Sequence, residues 1–339
     1  MSEAGLVIKS GNVVIGSYKP VFVIAEIGGN HGGKVPLALR MIYAAASAGA
    51  NAVKFQSYRT DELAAQRYPG YRELKKEELS FADFKRLSDY CRRRRIVFLS
   101  TPFDSESADF LARLRVSFFK IASGDIDNVP LIRYIANKKK PVLLSTGASS
   151  LPEVTRAVSL IKKYGGKQVI VLHCVSAYPA AYREMNLNVL PFLAKKLRCI
   201  VGLSDHTEGI EASLAAVALG AKVIEKHFTI DRRLAGGDNR ISLRPEEFRH
   251  MVDSIRKIEC ALGRPQKAVT SSERKLLVLT RRSIVARLKI AEGQIIAETD
   301  LALKRPARGI SPGYWDRCIG KRSRRAICKD EYLSLRDLR

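Results

Sequence analysis

Two histidines stand where apolar runs turn polar. One lies in Ile200-Val201-Gly202-Leu203-Ser204-Asp205-His206-Thr207, the other in Val223-Ile224-Glu225-Lys226-His227-Phe228-Thr229. An apolar segment of helical spacing separates the two runs. If they are neighbouring parallel strands, both imidazoles reach one rim. A pair of imidazoles on a rim is a natural site for a divalent metal. No cysteine accompanies them, so Mn²⁺ or Mg²⁺ with open positions fits better than a closed zinc site. Glu26 and Asp125 are the carboxylates that the same arrangement would bring nearby.

Other apolar runs also end in residues that a purely structural core would not need. Lys54 and Gln56 share one face of a strand of period two. Lys120 precedes Ile121-Ala122-Ser123-Gly124-Asp125, and further runs end in Ser100-Thr101, Ser145-Thr146 and His173-Cys174-Val175-Ser176-Ala177-Tyr178. Buried lysines need an anion. Lys54 and Lys120, with Thr101, Ser123, Ser145, Ser204 and glycine-turn N–H groups, suit a small phosphorylated carboxylate. Taken singly, either lysine could equally be a solvated strand end or half of a structural ion pair. His31 sits in Gly28-Gly29-Asn30-His31-Gly32-Gly33, either to shape the loop or to carry a proton. That glycine-rich segment fits neither GxGxxG nor a P-loop.

Such residues need strands to present them. The expected strands are Val21–Ala25, Ala52–Gln56, Val97–Ser100, Phe118–Ile121, Val142–Thr146, Val169–His173, Ile200–Leu203 and Val223–His227. Helix-period segments lie between them, among them Pro36–Ala48, Asp83–Arg94, Pro152–Tyr164 and Pro245–Leu262. Pro36, Pro130, Pro152 and Pro245 suit first helical turns. Strand–helix repeats in this number predict a (β/α)₈ TIM barrel with its chemistry at the C-terminal ends of the strands. Leu6–Lys9 and Val13–Ile15 read as a hairpin that plugs the barrel bottom. The pattern changes near Gly263-Arg264-Pro265. The expected division is residues 1–270 for the barrel, 271–280 for a linker, and 281–339 for a small, mostly β domain.

With 339 residues, 46% of them hydrophobic, the chain has ample material for a barrel core. No apolar run is long enough to span a bilayer and the start lacks a secretory pattern, so no membrane partner and a cytoplasmic location are expected. The six cysteines are scattered and read as free thiols. The formal charge of +25 raises the alternative of a nucleic-acid-binding protein. Three of four basic runs, however, sit at expected helix ends, where cations complement the helix dipole. No aromatic interleaving accompanies them, and no nucleic-acid partner is expected.

The motifs Ala25-Glu26-Ile27-Gly28-Gly29-Asn30-His31-Gly32-Gly33, Lys54-Phe55-Gln56, Lys120-Ile121-Ala122-Ser123-Gly124-Asp125, Gly202-Leu203-Ser204-Asp205-His206-Thr207 and Glu225-Lys226-His227-Phe228-Thr229 run along the barrel region. Lys304-Arg305-Pro306 and Gly309-Ile310-Ser311-Pro312 follow in the tail. Together they resemble the sialic acid (nonulosonic acid) synthase family, whose barrel is followed by an antifreeze-like (SAF) domain. The resemblance implies a metal-dependent condensation of phosphoenolpyruvate with an N-acylated hexose aldehyde. It implies His206 and His227 as ligands of Mn²⁺ or Mg²⁺, with Glu26 beside them. Lys54, Lys120, Thr101, Ser123, Ser145 and Ser204 would hold phosphoenolpyruvate. Gln56, Ser176, Tyr178, Asp238 and Asp125 would face the sugar, and a metal-bound water or a carboxylate, Asp125 or Glu26, would serve as base. Arg305 would come from a partner chain in a domain-swapped homodimer. Asp125 and Ser176 stand where sialic acid makers of the family usually carry Glu and Asn. Ala235-Gly236-Gly237-Asp238-Asn239 replaces a Pro-Gly-Pro-Asp-His-like run. N-acetylmannosamine and a diacetamido-trideoxy hexose both remain open as acceptor. Another phosphoenolpyruvate-condensing keto-acid synthase is the alternative within the superfamily.

Overall fold

A two-residue turn opens the described chain. Strands β1 (Val7–Ser10) and β2 (Val13–Gly16) pair antiparallel around Gly11, whose φ of +58° favours glycine. The computed structural model describes residues 6–166 and 168–339. Eight further strands follow: β3 (Phe22–Glu26), β4 (Ala52–Ser57), β5 (Val97–Pro102), β6 (Phe119–Ile121), β7 (Val142–Ser145), β8 (Val169–Cys174), β9 (Ile200–Asp205) and β10 (Val223–His227). They lie in the order β5-β4-β3-β10-β9-β8-β7-β6, and every hydrogen-bonded pair in this sheet is parallel. The end strands β5 and β6 pack against each other. With helices between the strands, this is the expected (β/α)₈ barrel.

Alternation along each strand explains its layers. The lower inward residues are apolar: Phe22, Ile24, Ala52, Leu99, Leu143, Ile170, Leu172, Ile200 and Val223. The hairpin residues Ile8, Val13 and Ile15 belong to the same cluster, so the hairpin closes the barrel bottom as expected. Gly202 is required there. A methyl group at that position would lie 2.4 Å from the Val223 carbonyl and 2.7 Å from Leu172. The outward strand residues, including Val23, Val53, Phe55 and Ile224, meet Met41, Phe84, Ile132, Ile161 and Phe248 from the helices.

Pro36, Pro130, Pro152 and Pro245 all occupy first helical turns. Strands β5 and β9 run two residues further than the apolar pattern suggests, because their polar ends stay in the ladder. Two short helices, Thr60–Leu63 and Tyr71–Glu77, interrupt the connection after β4. Tyr71–Glu77 buries no residue, so it lacks the apolar face that sequence periodicity detects.

The chain divides into two units, Met1–Gly263 and Arg264–Arg339. In the second, residues 271–280 form a helix, Ser271–Thr280, where a linker is expected. Thr270 and Glu273 make its capping box. Strands β11 (Ser283–Ala286) and β12 (Leu301–Lys304) pair antiparallel over a core of Ile284, Ile290, Ile296, Leu301, Ile310, Ile327 and Leu333. Among the described residues all six cysteines are free, and no helix is long and apolar enough to cross a membrane.

Ile15 is fully buried between the hairpin and the barrel interior. Ile15→Ala is expected to lower the unfolding free energy by about 2–5 kcal/mol, read from a shifted midpoint in denaturant titration. A midpoint unchanged from wild type would show that the hairpin does not seal the core.

Candidate active site

Above the apolar layer, the inward residues become polar in every strand. A cavity of about 530 Å³ opens there, at the C-terminal ends of the strands. Its floor is four buried charges: Glu26, Lys54, Lys120 and Glu225. Lys54 Nζ lies 2.8 Å from Glu26 Oε2, close enough for an ion pair though off the line of a hydrogen bond. It stands 3.8 Å from Glu225 Oε2 and donates to Thr101 Oγ1 at 3.0 Å. Lys120 Nζ lies 3.5 Å from Glu225 Oε1, which also accepts from Ser204 Oγ at 2.8 Å.

Burial works to lower the Lys54 ammonium, but Glu225 and Glu26 outweigh it and the pKa rises. At Lys120 burial prevails and the pKa falls despite Glu225. The two carboxylates split. Burial pushes Glu26 up, whereas Lys120 and Lys54 overcome burial and hold Glu225 down. Glu225 is thus the fixed anion between the lysines, and Glu26 is the carboxyl that gains a proton more readily.

The walls carry the hydroxyls. Ser145 Oγ is buried with no hydrogen-bond partner. Ser123 Oγ accepts the Gly147 N–H at 2.9 Å. A methyl group on Gly147 would stand 2.1 Å from Ser176 Oγ and 3.0 Å from Ser123 Oγ, so that turn brings its backbone close to both hydroxyls. Gln56, Ser176 and Tyr178 also line the cavity, as does Asp238.

The imidazoles sit at the rim, with ring centroids 5.3 Å apart. His227 ends β10, and its register partner is Glu26 of β3. His206 follows β9 directly. Just before each histidine, Asp205 and Lys226 are register partners and point outward. Lys226 Nζ is 3.0 Å from Asp205 Oδ2 and donates to the Thr207 carbonyl at 2.6 Å. Asp205 also accepts from the Thr207 N–H at 2.9 Å, the Thr207 hydroxyl at 2.8 Å and the Ser213 hydroxyl at 2.6 Å. This buried pair locks the two strand ends together.

His206 Nδ1 lies 2.8 Å from the Val175 carbonyl, which fixes the proton there and leaves Nε2 with a free lone pair. His227 Nδ1 is buried without a hydrogen bond, and Asp238 Oδ2 stands 3.4 Å from it. Burial lowers the pKa of both rings, His227 the more strongly, so both are neutral at neutral pH. Tyr178 stacks on His206 at 4.2 Å between centroids. Neutral rings with an unsatisfied ring nitrogen fit a divalent ion. Among the described residues no third His, Cys, Asp or Glu joins them in a metal-holding cluster, so water or substrate would complete the coordination.

Asp125 lies in the turn beyond its strand, between the cavity-lining residues Gly124 and Ile126. The chain leaves β6 after Ile121 and enters the 3-10 turn Ser123–Asp125, where Asp125 Oδ1 accepts from Asn128 at 2.9 Å. Asp127 also lines the cavity. Arg305 lies in the second unit, on the loop after β12. His31 shapes its loop: Nδ1 accepts the Gly33 N–H at 3.0 Å, and burial pushes the ring down to about 4. Glu225 is the residue that sequence reasoning missed. It shares strand parity with His227, and that parity was the available signal.

The NeuB family model matches residues 41–267, and the SAF domain model matches residues 281–339. The chain belongs to the NeuB family. It is 41% identical over 325 residues to an N,N'-diacetyllegionaminic acid synthase of Legionella pneumophila, covering 91% of each chain. To the N-acetylneuraminate-9-phosphate synthase of Homo sapiens it is 36% identical, covering 86% of this chain and 84% of that one. A crystal structure of an N-acetylneuraminic acid synthetase from Leptospira borgpetersenii superposes with a TM-score of 0.77 at 40% identity, covering 80% of this chain and 95% of that one. This NeuB-family chain is therefore an enzyme of the nonulosonic acid synthase kind.

Asp205→Ala would leave Lys226 buried and unpaired in this enzyme. It is expected to destabilise the chain by about 3–5 kcal/mol. Equilibrium unfolding checks this, and a loss below about 1 kcal/mol, as for an exposed pair, would remove the pair from its locking role.

Proposed function

We propose that this enzyme condenses phosphoenolpyruvate with an N-acylated hexose aldehyde, giving a nine-carbon 3-deoxy-2-keto acid and phosphate, with Mn²⁺ or Mg²⁺ as cofactor. Lys120 is the observation that carries this reading. It is a buried ammonium with one carboxylate at 3.5 Å, it donates no hydrogen bond to any described residue, and it opens on the cavity. An anion is the partner it lacks.

Lys54 and Lys120 would offset the charge of phosphate and carboxylate, with Thr101, Ser123, Ser145 and Ser204 as hydrogen-bonding partners. Gln56, Ser176, Tyr178 and Asp238 would face the sugar above them. Asp125, in the turn beside Ser123, would face the sugar with them. Arg305 from a partner chain is the proposed cap of the sugar pocket in a domain-swapped homodimer. His206 and His227 would hold the ion, which when bound supplies Lewis-acid polarisation of the aldehyde oxygen.

The enol C3 attacks the aldehyde carbon, water adds at C2, and phosphate leaves with cleavage of its C–O bond. Glu26, with its raised affinity for a proton, would accept the proton that water gives up. Glu225 stays ionised and keeps the lysines charged. The 41% identity to a diacetyllegionaminic acid synthase supports a diacetamido-trideoxy hexose as acceptor, beside N-acetylmannosamine.

The deciding experiment offers phosphoenolpyruvate with N-acetylmannosamine, its 6-phosphate or a diacetamido-trideoxy hexose, and follows phosphate release and product mass. Turnover is expected with a diacetamido sugar, to be lost on chelation and restored by Mn²⁺. No phosphate from any sugar would end the proposed reaction, and full activity after chelation would end the metal role. In a second test, Lys120→Ala should raise KM for phosphoenolpyruvate by about ten- to a hundredfold, with a much smaller change for sugar. Equal changes for both substrates would contradict phosphate binding at Lys120.

A further inference from the structure

The glycine-rich segment after β3 has no part in the chemistry above, and neither has Glu77. The structure joins them. Glu77 ends the short helix Tyr71–Glu77 and turns its carboxylate into a gap between two glycine turns. Oε1 accepts the Gly237 N–H at 2.8 Å. A methyl group at Gly29 would stand 2.1 Å from Glu77 Oε2, and one at Gly236 would stand 2.9 Å from Oε1. At Gly33 it would meet the Lys76 carbonyl at 2.1 Å, and at Gly237 the Asn30 side chain at 2.6 Å. With Glu77 half-buried and Gly236 and Gly237 exposed, a methyl group at Gly29 or Gly236 would have to displace the carboxylate end, whereas at Gly33 it would meet backbone. The glycines are thus the space that this carboxylate and its helix end occupy.

Gly236 and Gly237 take φ of +83° and +53°, and the next residue is Asp238. Asn239 ties the same turn down: its Nδ2 donates to the Gly236 carbonyl at 2.7 Å, and its Oδ1 accepts from Thr229 Oγ1 at 2.6 Å. Asp238 lines the cavity and faces His227. The contact from Glu77 therefore ends one residue short of the rim.

We propose that Glu77 is a positioning residue: by accepting the Gly237 N–H inside a glycine-lined gap, it fixes the 235–239 turn and so places Asp238 beside His227. The kinetic part of this proposal rests on the reading that Asp238 faces the sugar.

The test uses the full chain and four variants: Glu77→Ala, Glu77→Gln, Asp238→Asn, and Glu77→Ala with Asp238→Asn. One readout is hydrogen exchange of peptides covering residues 235–241 without substrate. The other is steady-state kinetics with phosphoenolpyruvate, Mn²⁺ and the best sugar of the panel. In Glu77→Ala, exchange in that segment should rise about tenfold as its anchoring hydrogen bond is lost. Its kcat/KM for sugar should fall about tenfold or more, with KM for phosphoenolpyruvate within about twofold of wild type. Glu77→Gln keeps an acceptor oxygen and should retain most of both properties. In the Asp238→Asn background, removing Glu77 should cost no more than about twofold further.

Unchanged exchange in Glu77→Ala would overturn the proposal. So would a loss shared equally by both substrates, or a loss undiminished in the Asp238→Asn background. Should Glu77→Ala fail to fold, Gly29→Ala carries the same expectations, because its methyl group displaces the carboxylate. If the wild type turns over no sugar, the proposed reaction falls, and the exchange measurement alone decides whether Glu77 holds the turn.

Discussion

Asp205 and Lys226 face each other across two neighbouring parallel strands, and the rim is built on that contact. Both side chains point out of the barrel, where only each other and the Thr207 and Ser213 groups satisfy them. Parity then sends Ser204, Glu225 and His227 inward. A slip of one residue would turn the site inside out and bury two lone charges among the helices. A buried ion pair contributes little net stability after desolvation. What this pair does contribute is register, and register puts two imidazoles within 5.3 Å of one another.

The same alternation grades the barrel interior from oil to salt. The lower inward residues are apolar and the upper ones are charged, over the length of a single strand. On the upper level the two lysines and two glutamates are linked through Glu225, which lies 3.8 Å from the Lys54 ammonium and 3.5 Å from that of Lys120. Low dielectric makes each of these charges strongly dependent on its neighbours, which is why two glutamates a few ångströms from the same lysine move in opposite directions. The basic excess of the chain is a separate matter. Arg92 and Arg93, and Lys195 and Lys196, lie in the last turns of their helices, and Lys138 to Lys140 just follow another. There they complement helix dipoles.

Much of this was legible in the sequence because barrel strands are short, apolar and punctuated. The alternation of runs, the prolines at helix starts and the Gly11-Asn12 turn each have a local cause, and each appears where local physics puts it. Glu26, Lys54, Gln56, Thr101, Lys120, Ser145, Ser204 and His227 could be picked out as polar ends of strands. Glu225 was passed over because it stands inside an apolar run, although its parity with His227 marks it as inward. Strand parity says nothing of Asp125, because β6 stops at Ile121 and Asp125 lies in the turn that follows. Glu77 had no local signal at all: its partner Gly237 is 160 residues away, and its own helix is too polar to announce itself.

The hairpin under the barrel has one more consequence. Ile8, Val13 and Ile15 close the lower end, so the chamber opens at the C-terminal ends of the strands. On the proposed reading, whatever rests on the lysines would arrive before anything that covers it, and depart only after. A plug of three aliphatic side chains, remote from any reacting atom, would thereby set a sequence of arrivals for the chemistry at the opposite end.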